Sequence, residues 1–195
     1  MKNKQNRIFL NVIRYTVLAV VRLIRQNYRN FKCYLVTGFL PCGGGSVFID
    51  SKNIIVGRNF SMGIDCKFYA QDKDARIPIK DNVSLNDNVT INSDFGGSIE
   101  IGSNTMIGPG LIIRASNHNF ENTLKPFKEQ EQGYKAGIIK IGDNVWLGAN
   151  VIVLPNVVIG KNVVIGAGSI ITKDIPDNCL TFGAPASSRR RIPNE

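Results

Sequence analysis

The sequence predicts a mainly β chain wound as a parallel β-helix of about five coils, and three observations point there. Residues 141–176 read as six consecutive hexapeptides, IGDNVW, LGANVI, VLPNVV, IGKNVV, IGAGSI and ITKDIP, each opening on an apolar residue. The same frame upstream gives IGSNTM, IGPGLI, IRASNH from Ile101, IKDNVS, LNDNVT, INSDFG from Ile79, and VGRNFS, MGIDCK, FYAQDK from Val56, and all fifteen openers are apolar. Gly and Asn recur inside the units, where tight corners demand positive φ angles that these residues tolerate. A period of six matches neither a helix nor plain strand alternation; it suits a β-helix in which each hexapeptide makes one flat side and one corner. A β-sandwich with Gly/Asn turns is the competing architecture, and its strands keep no such period.

Taken in chain order, residues 1–49 form an N-terminal segment, 50–178 the repeat domain and 179–195 a C-terminal tail. The N-terminal segment holds no acidic residue, while Lys2, Lys4, Arg7, Arg14, Arg22, Arg25, Arg29 and Lys32 supply eight of the net nine positive charges. Within residues 7–32, Arg7, Asn11, Arg14, Leu18, Arg22, Arg25, Arg29 and Lys32 are spaced by threes and fours. On a helix they fall in a wedge of about 80°, and the other faces are rich in Ile, Val, Leu and Phe. This is the form of a basic amphipathic helix lying in a membrane interface. The same helix would also serve to cap an open end of the prism. Arg14 and Arg22 break the apolar run, which speaks against a transmembrane span and a secretory signal.

Three hexapeptides make a coil, so the coils fall at 56–73, 79–96, 101–118, 141–158 and 159–176. Stacked at roughly 4.8 Å they give a prism about 24 Å tall, with the openers packed on their counterparts above and below. Residues 74–78 and 97–100 interrupt the repeat briefly. The third interruption, 119–140, spans 22 residues and carries Phe120, Phe127, Tyr134, Glu121, Glu129 and Glu131. A loop of that length inside a compact domain is usually functional or disordered.

His118 is the only histidine in 195 residues, and it stands beside that loop in RASNHNFEN. Ser116, Asn117 and Asn119 flank it, and polar neighbours fix a tautomer and leave the other ring nitrogen free as a base. A lone histidine also serves structural roles, so its position more than its scarcity makes it the catalytic candidate. Cys33, Cys42, Cys66 and Cys179 show no paired spacing, which fits reduced thiols and neither a zinc site nor a disulfide framework.

From roughly Asp50 to Arg191 the chain resembles the hexapeptide-repeat acyltransferases, particularly the maltose and galactoside O-acetyltransferases and related enzymes of bacterial polysaccharide synthesis. The motifs are the histidine before the long loop, the run IGDNVWLGANVIVLPNVVIGKNVVIGAGSIITKDIP, and FGAPA. The resemblance implies a left-handed coil, a homotrimer with acetyl-CoA and acceptor meeting between subunits, and His118 as general base. It also implies that Asn86 orients the acceptor, that Trp146 shapes the site, and that the Ala149 N–H faces the thioester oxygen. Ala167, Thr172, Lys173 and Arg190 match positions that line the CoA arm. Ser187 departs from the pattern, because the family commonly has Lys or Arg there.

The expected function is therefore transfer of an acetyl group from acetyl-CoA to a sugar hydroxyl in surface polysaccharide synthesis, without a metal. The setting is cytoplasmic, at the inner face of the membrane if the N-terminal helix binds lipid. N-acetylation of an amino sugar or nucleotide sugar and a non-catalytic scaffold are the alternatives. A zinc carbonic anhydrase on this prism needs three histidines, and nucleic-acid binding has no module here beyond the basic charge.

Overall fold

In the computed structural model the described residues are 16–17, 20–21, 46–49, 51–122, 124–126, 129 and 133–191. Three sheets form the sides of a prism, and the chain visits them in rotation. Side A stacks Val47–Ile49, Lys67–Tyr69, Thr90–Asn92, Ile112–Arg114, Ile152–Val153 and Ile170–Ile171, all parallel. Side B stacks Ile54–Val56, Ile77–Ile79, Ser98–Ile101, Ile138–Ile141 and Val158–Ile159. Side C stacks Ser61–Met62, Ser84–Leu85, Met106–Ile107, Trp146–Leu147, Val164–Ile165 and Cys179–Gly183, with Ala186–Arg191 folding back antiparallel on the last. Parallel sheets of this kind are those of a left-handed β-helix.

Strand register reproduces the hexapeptide frame. Val56, Ile79, Ile101, Ile141 and Ile159 are consecutive partners up side B. Met62, Leu85, Ile107, Leu147 and Ile165 do the same on side C, and Phe68, Ile91, Ile113, Val153 and Ile171 on side A. All of these openers are buried except Val56 and Met62, which are half-buried near the N-terminal end of the stack.

A second inward row lies two residues before each opener, because alternate residues of a strand face the same way. It holds Ile77, Val83, Val89, Ile99, Leu111, Ile139, Val145, Val151, Val157 and Val163, all buried. Thr105 and Ser169 occupy the same row, and each hydroxyl donates to a carbonyl, of Gly142 and Gly166. This row corrects the expected interruptions. Residues 77–78, 98–100 and 138–140 are strand, since Ile77, Ile99 and Ile139 enter the core one alternation ahead of the opener. Pairing of Val47–Ile49 and Cys179–Gly183 likewise carries the prism beyond the expected bounds of 50 and 178.

Positive φ at the corners falls to the fourth position of the units, where Gly110 (φ 72°) and Gly168 (φ 70°) take it as the asparagines do. Asn59, Asn82, Asn104, Asn144, Asn162 and Asn178 adopt positive φ at the corner between sides B and C. Their side chains form ladders, Asn59 donating to Asn82 at 2.8 Å, Asn144 to Asn162 at 2.9 Å and Asn162 to Asn178 at 2.9 Å. The second-position glycines, present in eight of the fifteen units, serve instead as spacers with no room for a side chain. A Cβ on Gly142 would stand 2.7 Å from the Gly160 carbonyl carbon, and one on Gly148 would stand 2.6 Å from the Ala167 nitrogen.

Thr16, Val17, Val20 and Val21 are helical, and Val17 and Val20 are exposed. The remainder of the basic helix expected over 7–32 lies outside the described residues, as do Cys33 and Cys42. Among the described residues no helix is long and apolar enough to cross a membrane. Cys66 and Cys179 are free and buried.

Candidate active site

His118 does not close the third coil, as the hexapeptide count suggested. The chain leaves the prism at Ala115, and Ser116–His118 pairs antiparallel with Tyr134–Ala136 in a two-stranded ribbon. The Gly137 N–H then donates to the Ala115 carbonyl at 2.7 Å, which returns the chain to side B. The excursion therefore begins at Ser116 and its last residues are a strand. The polar run SNHN gave no apolar alternation by which to read the first arm.

Register places His118 opposite Tyr134, with ring centroids 4.2 Å apart and planes tilted by 37°. The imidazole is exposed and lines a cleft of about 270 Å³ with Asn117, Asn119, Phe120, Glu121 and Lys135 of the excursion. Leu154, Pro155 and Asn156 of the fourth coil and Thr172 of the fifth form the opposite wall. Lys135 pairs with Glu121 at 2.8 Å and holds its carboxyl below the ordinary glutamate value. Both groups are largely in water, so the pair orders the cleft wall without adding much stability.

The other sequence-predicted residues divide between two corners. Thr172 and Lys173 follow side A and are exposed at the A/B corner, below the ribbon that carries His118. Asn86, Ala149 and Ala167 stand at the C/A corner, and Trp146 on side C leads into it. Asn86 and Trp146 line one shallow cleft with Met106 and Gly108, and Trp146 is 51% exposed. The Ala149 carbonyl accepts from the Gly168 N–H at 2.8 Å, while its own N–H meets no acceptor among the described residues. Arg190 lies opposite Leu180 on the returning C-terminal strand, and its side chain is outside the described part.

One prism side separates the two groups, roughly 15 Å for about five extended residues. A general base must come within about 3 Å of the proton that it removes, so the C/A group of a single chain does not work directly with His118. Among the described residues no three His, Cys, Asp or Glu side chains cluster as a metal site.

Phe95 was not among the residues expected from the sequence, and its ring stacks on Tyr134 with centroids 3.5 Å apart and planes 6° from parallel. The aromatic-Gly-Gly run at 95–97, which breaks the repeat, was the available signal. Leu154 and Pro155 of the cleft wall likewise carried no sequence signal beyond the repeat.

Residues 138–173 match the bacterial transferase hexapeptide family, with six repeats. A galactoside O-acetyltransferase of Lactococcus lactis is 42% identical over 89 residues, 46% of this chain and 41% of that protein. The chain thus spans only about two-fifths of that relative's length. Among solved structures, a galactoside acetyltransferase in complex with coenzyme A is 32% identical with a TM-score of 0.56, over 71% of this chain and 64% of the other. A hexapeptide-repeat acetyltransferase of Vibrio cholerae is 28% identical with a TM-score of 0.60, covering 71% and 73%.

Proposed function

We propose, on the premise that this chain is a hexapeptide-repeat protein of the acetyltransferase type, that it moves an acetyl group from acetyl-CoA to a sugar hydroxyl. The observation that carries the reading is the sole histidine, exposed in a cleft whose far wall holds Thr172. Similarity to a galactoside acetyltransferase solved with coenzyme A supports the donor, and similarity to a galactoside O-acetyltransferase supports the acceptor class.

In this reading one nitrogen of His118 accepts the proton of the acceptor hydroxyl as its oxygen attacks the thioester carbonyl carbon. The tetrahedral intermediate collapses with cleavage of the C–S bond, and the imidazolium returns the proton to the CoA sulfur. The products are an acetyl ester and free CoA, and the histidine is regenerated. General base catalysis contributes typically 10² to 10⁴ in rate, and holding the two substrates together supplies most of the rest. Direct transfer needs no acyl-cysteine, and Cys66 and Cys179 are both buried.

The separation of the two corners favours a site completed by a second copy. In a homotrimer the A/B corner of one prism, with His118, Thr172 and Lys173, would face the C/A corner of its neighbour. Asn86 would then orient the acceptor, Trp146 would shape the pocket, and the unpaired Ala149 N–H would stabilise the oxyanion. Ala167, Lys173 and Arg190 would line the CoA arm, lysine meeting phosphate as a point charge.

We also propose surface-polysaccharide synthesis at the inner face of the cytoplasmic membrane as the setting. The basic composition of residues 2–32 and the exposed Val17 and Val20 support it.

The deciding experiment incubates the protein with acetyl-CoA and a panel of galactosides, maltosides and amino sugars, following free CoA thiol and product mass. An acetylated product that loses its acetyl group in mild alkali is the expected ester. An alkali-stable product would move the assignment to N-acetylation, and no acceptor-dependent thiol release would remove the enzyme reading.

A further inference from the structure

We infer that Tyr134 is a positioning residue for His118, acting through the face of its ring, and that Phe95 is the backstop that fixes that ring. The inference rests on the acyl-transfer reading only for its kinetic consequence. The three rings form a continuous stack, Phe95 on Tyr134 at 3.5 Å and Tyr134 on His118 at 4.2 Å. They come from two separate departures from the repeat, the short turn at 93–97 and the long excursion.

Phe95 is anchored apart from the ribbon that carries the other two rings. Phe95 has φ of 67°, an uncommon conformation for a bulky residue, and its N–H donates to the Asp72 carboxylate one coil away. Gly96, at φ of 81°, faces Ala136 of the ribbon, where even an added Cβ would make only ordinary contact at 3.8 Å. The turn therefore lies within one methyl group's reach of the ribbon. Tyr134 is half-buried and Phe95 is 42% exposed, so the stack is a surface feature, not part of the prism core.

The ribbon needs such a support. It has only two arms, Ser116–His118 and Tyr134–Ala136, and isolated hairpins are marginal in water. Aromatic pairs in stacked or tilted geometry add attraction beyond their buried area. Without the stack, the imidazole would turn about its side-chain bonds at an exposed cleft edge. No hydrogen bond to His118 holds its ring among the described residues.

The test uses the untagged full chain, in which His118 is the only imidazole. Its ring protons in the wild type should resonate upfield of a free histidine, because they lie near the Tyr134 ring. Tyr134→Leu should abolish that shift and Tyr134→Phe should keep it. Phe95→Leu, which leaves Tyr134 in place, should reduce it.

In acetyl-CoA turnover with the fastest acceptor of the panel, Tyr134→Leu should lower kcat by about 10- to 100-fold, as expected for a misplaced reacting group. The KM for acetyl-CoA should stay within about twofold and Tyr134→Phe within about threefold of wild type, since the ring face acts and the hydroxyl does not. A His118 shift unchanged in both Tyr134→Leu and Phe95→Leu would overturn the inference. So would a Tyr134→Phe variant as slow as Tyr134→Leu. If His118→Ala kept full turnover while the ring shifts behaved as stated, the acyl-transfer reading would fail and the stack would stand.

Discussion

Gly102→Ala should destabilise the prism more than its single methyl group suggests. A Cβ at this position would lie 2.3 Å from the Gly142 carbonyl oxygen and 2.7 Å from the Asp143 nitrogen, both backbone atoms of the next coil. Reaching an ordinary contact of about 3.5 Å requires the coils to part locally by about 1 Å. The Gly102 N–H donates to the Ile141 carbonyl at 2.8 Å and the Ser103 N–H to Asp143 Oδ1 at 2.7 Å, and both bonds would be stretched past useful length. Two hydrogen bonds at about 0.5–1.5 kcal/mol each, with overpacking strain of about 1–3 kcal/mol, give a loss of roughly 2–6 kcal/mol. For a chain of this size, at about 2–4 °C per kcal/mol, that lowers Tm by about 4–24 °C, read by calorimetry at fixed protein concentration. Gly133→Ala, where an added Cβ would meet nothing within 4 Å, is the matched control and should stay within about 1 °C. A Gly102→Ala protein melting with the control would refute the close-packing account of the second-position glycines.

Mixing His118→Ala with Ala149→Pro subunits tests the shared site, since proline removes the N–H proposed for the oxyanion. Co-refolded mixtures should regain activity that neither parent has, whereas mixtures as inactive as both parents would place the site within one chain. The Lys135 ammonium depresses the Glu121 carboxyl, so the pair's small favourable contribution is present above the ordinary glutamate range and fades as pH falls through the lowered value. Lys135→Ala should return the Glu121 titration, followed by carboxyl NMR, to that ordinary range; an unmoved titration would mean that the pair is not held in solution. Vesicles containing anionic lipid should bind the full chain at low salt and release it at high salt. Equal binding after deletion of residues 1–30 would end the membrane proposal.

The repeat was legible because one physical rule writes it eighteen residues at a time. Openers such as Ile101, Ile141 and Ile159 are apolar for the same reason, and their register followed from counting. The companion row was harder to place. Ile77, Ile99 and Ile139 fell into apparent gaps, since a frame counted from openers treats an insertion as ending only at the next opener. The positive-φ expectation fits Gly110 and Gly168 but not the second-position glycines, since sequence shows that a side chain is missing and not whether φ or proximity forbids it.

The candidate site was legible as a set of residues and not as a geometry. Thr172 and His118 share a cleft although 54 positions separate them, and Asn86 and Trp146 share another. The Phe95 contact was illegible because two irregular segments make it, and neither carries a period.

The central claim is acetyl transfer with His118 as base, and the most direct measurement is the rate of acetyl-CoA turnover by His118→Ala beside a CoA-binding titration of the same protein. The account predicts that turnover falls by about 10² to 10⁴ while CoA binding is retained. Undiminished turnover in a folded His118→Ala protein would contradict it.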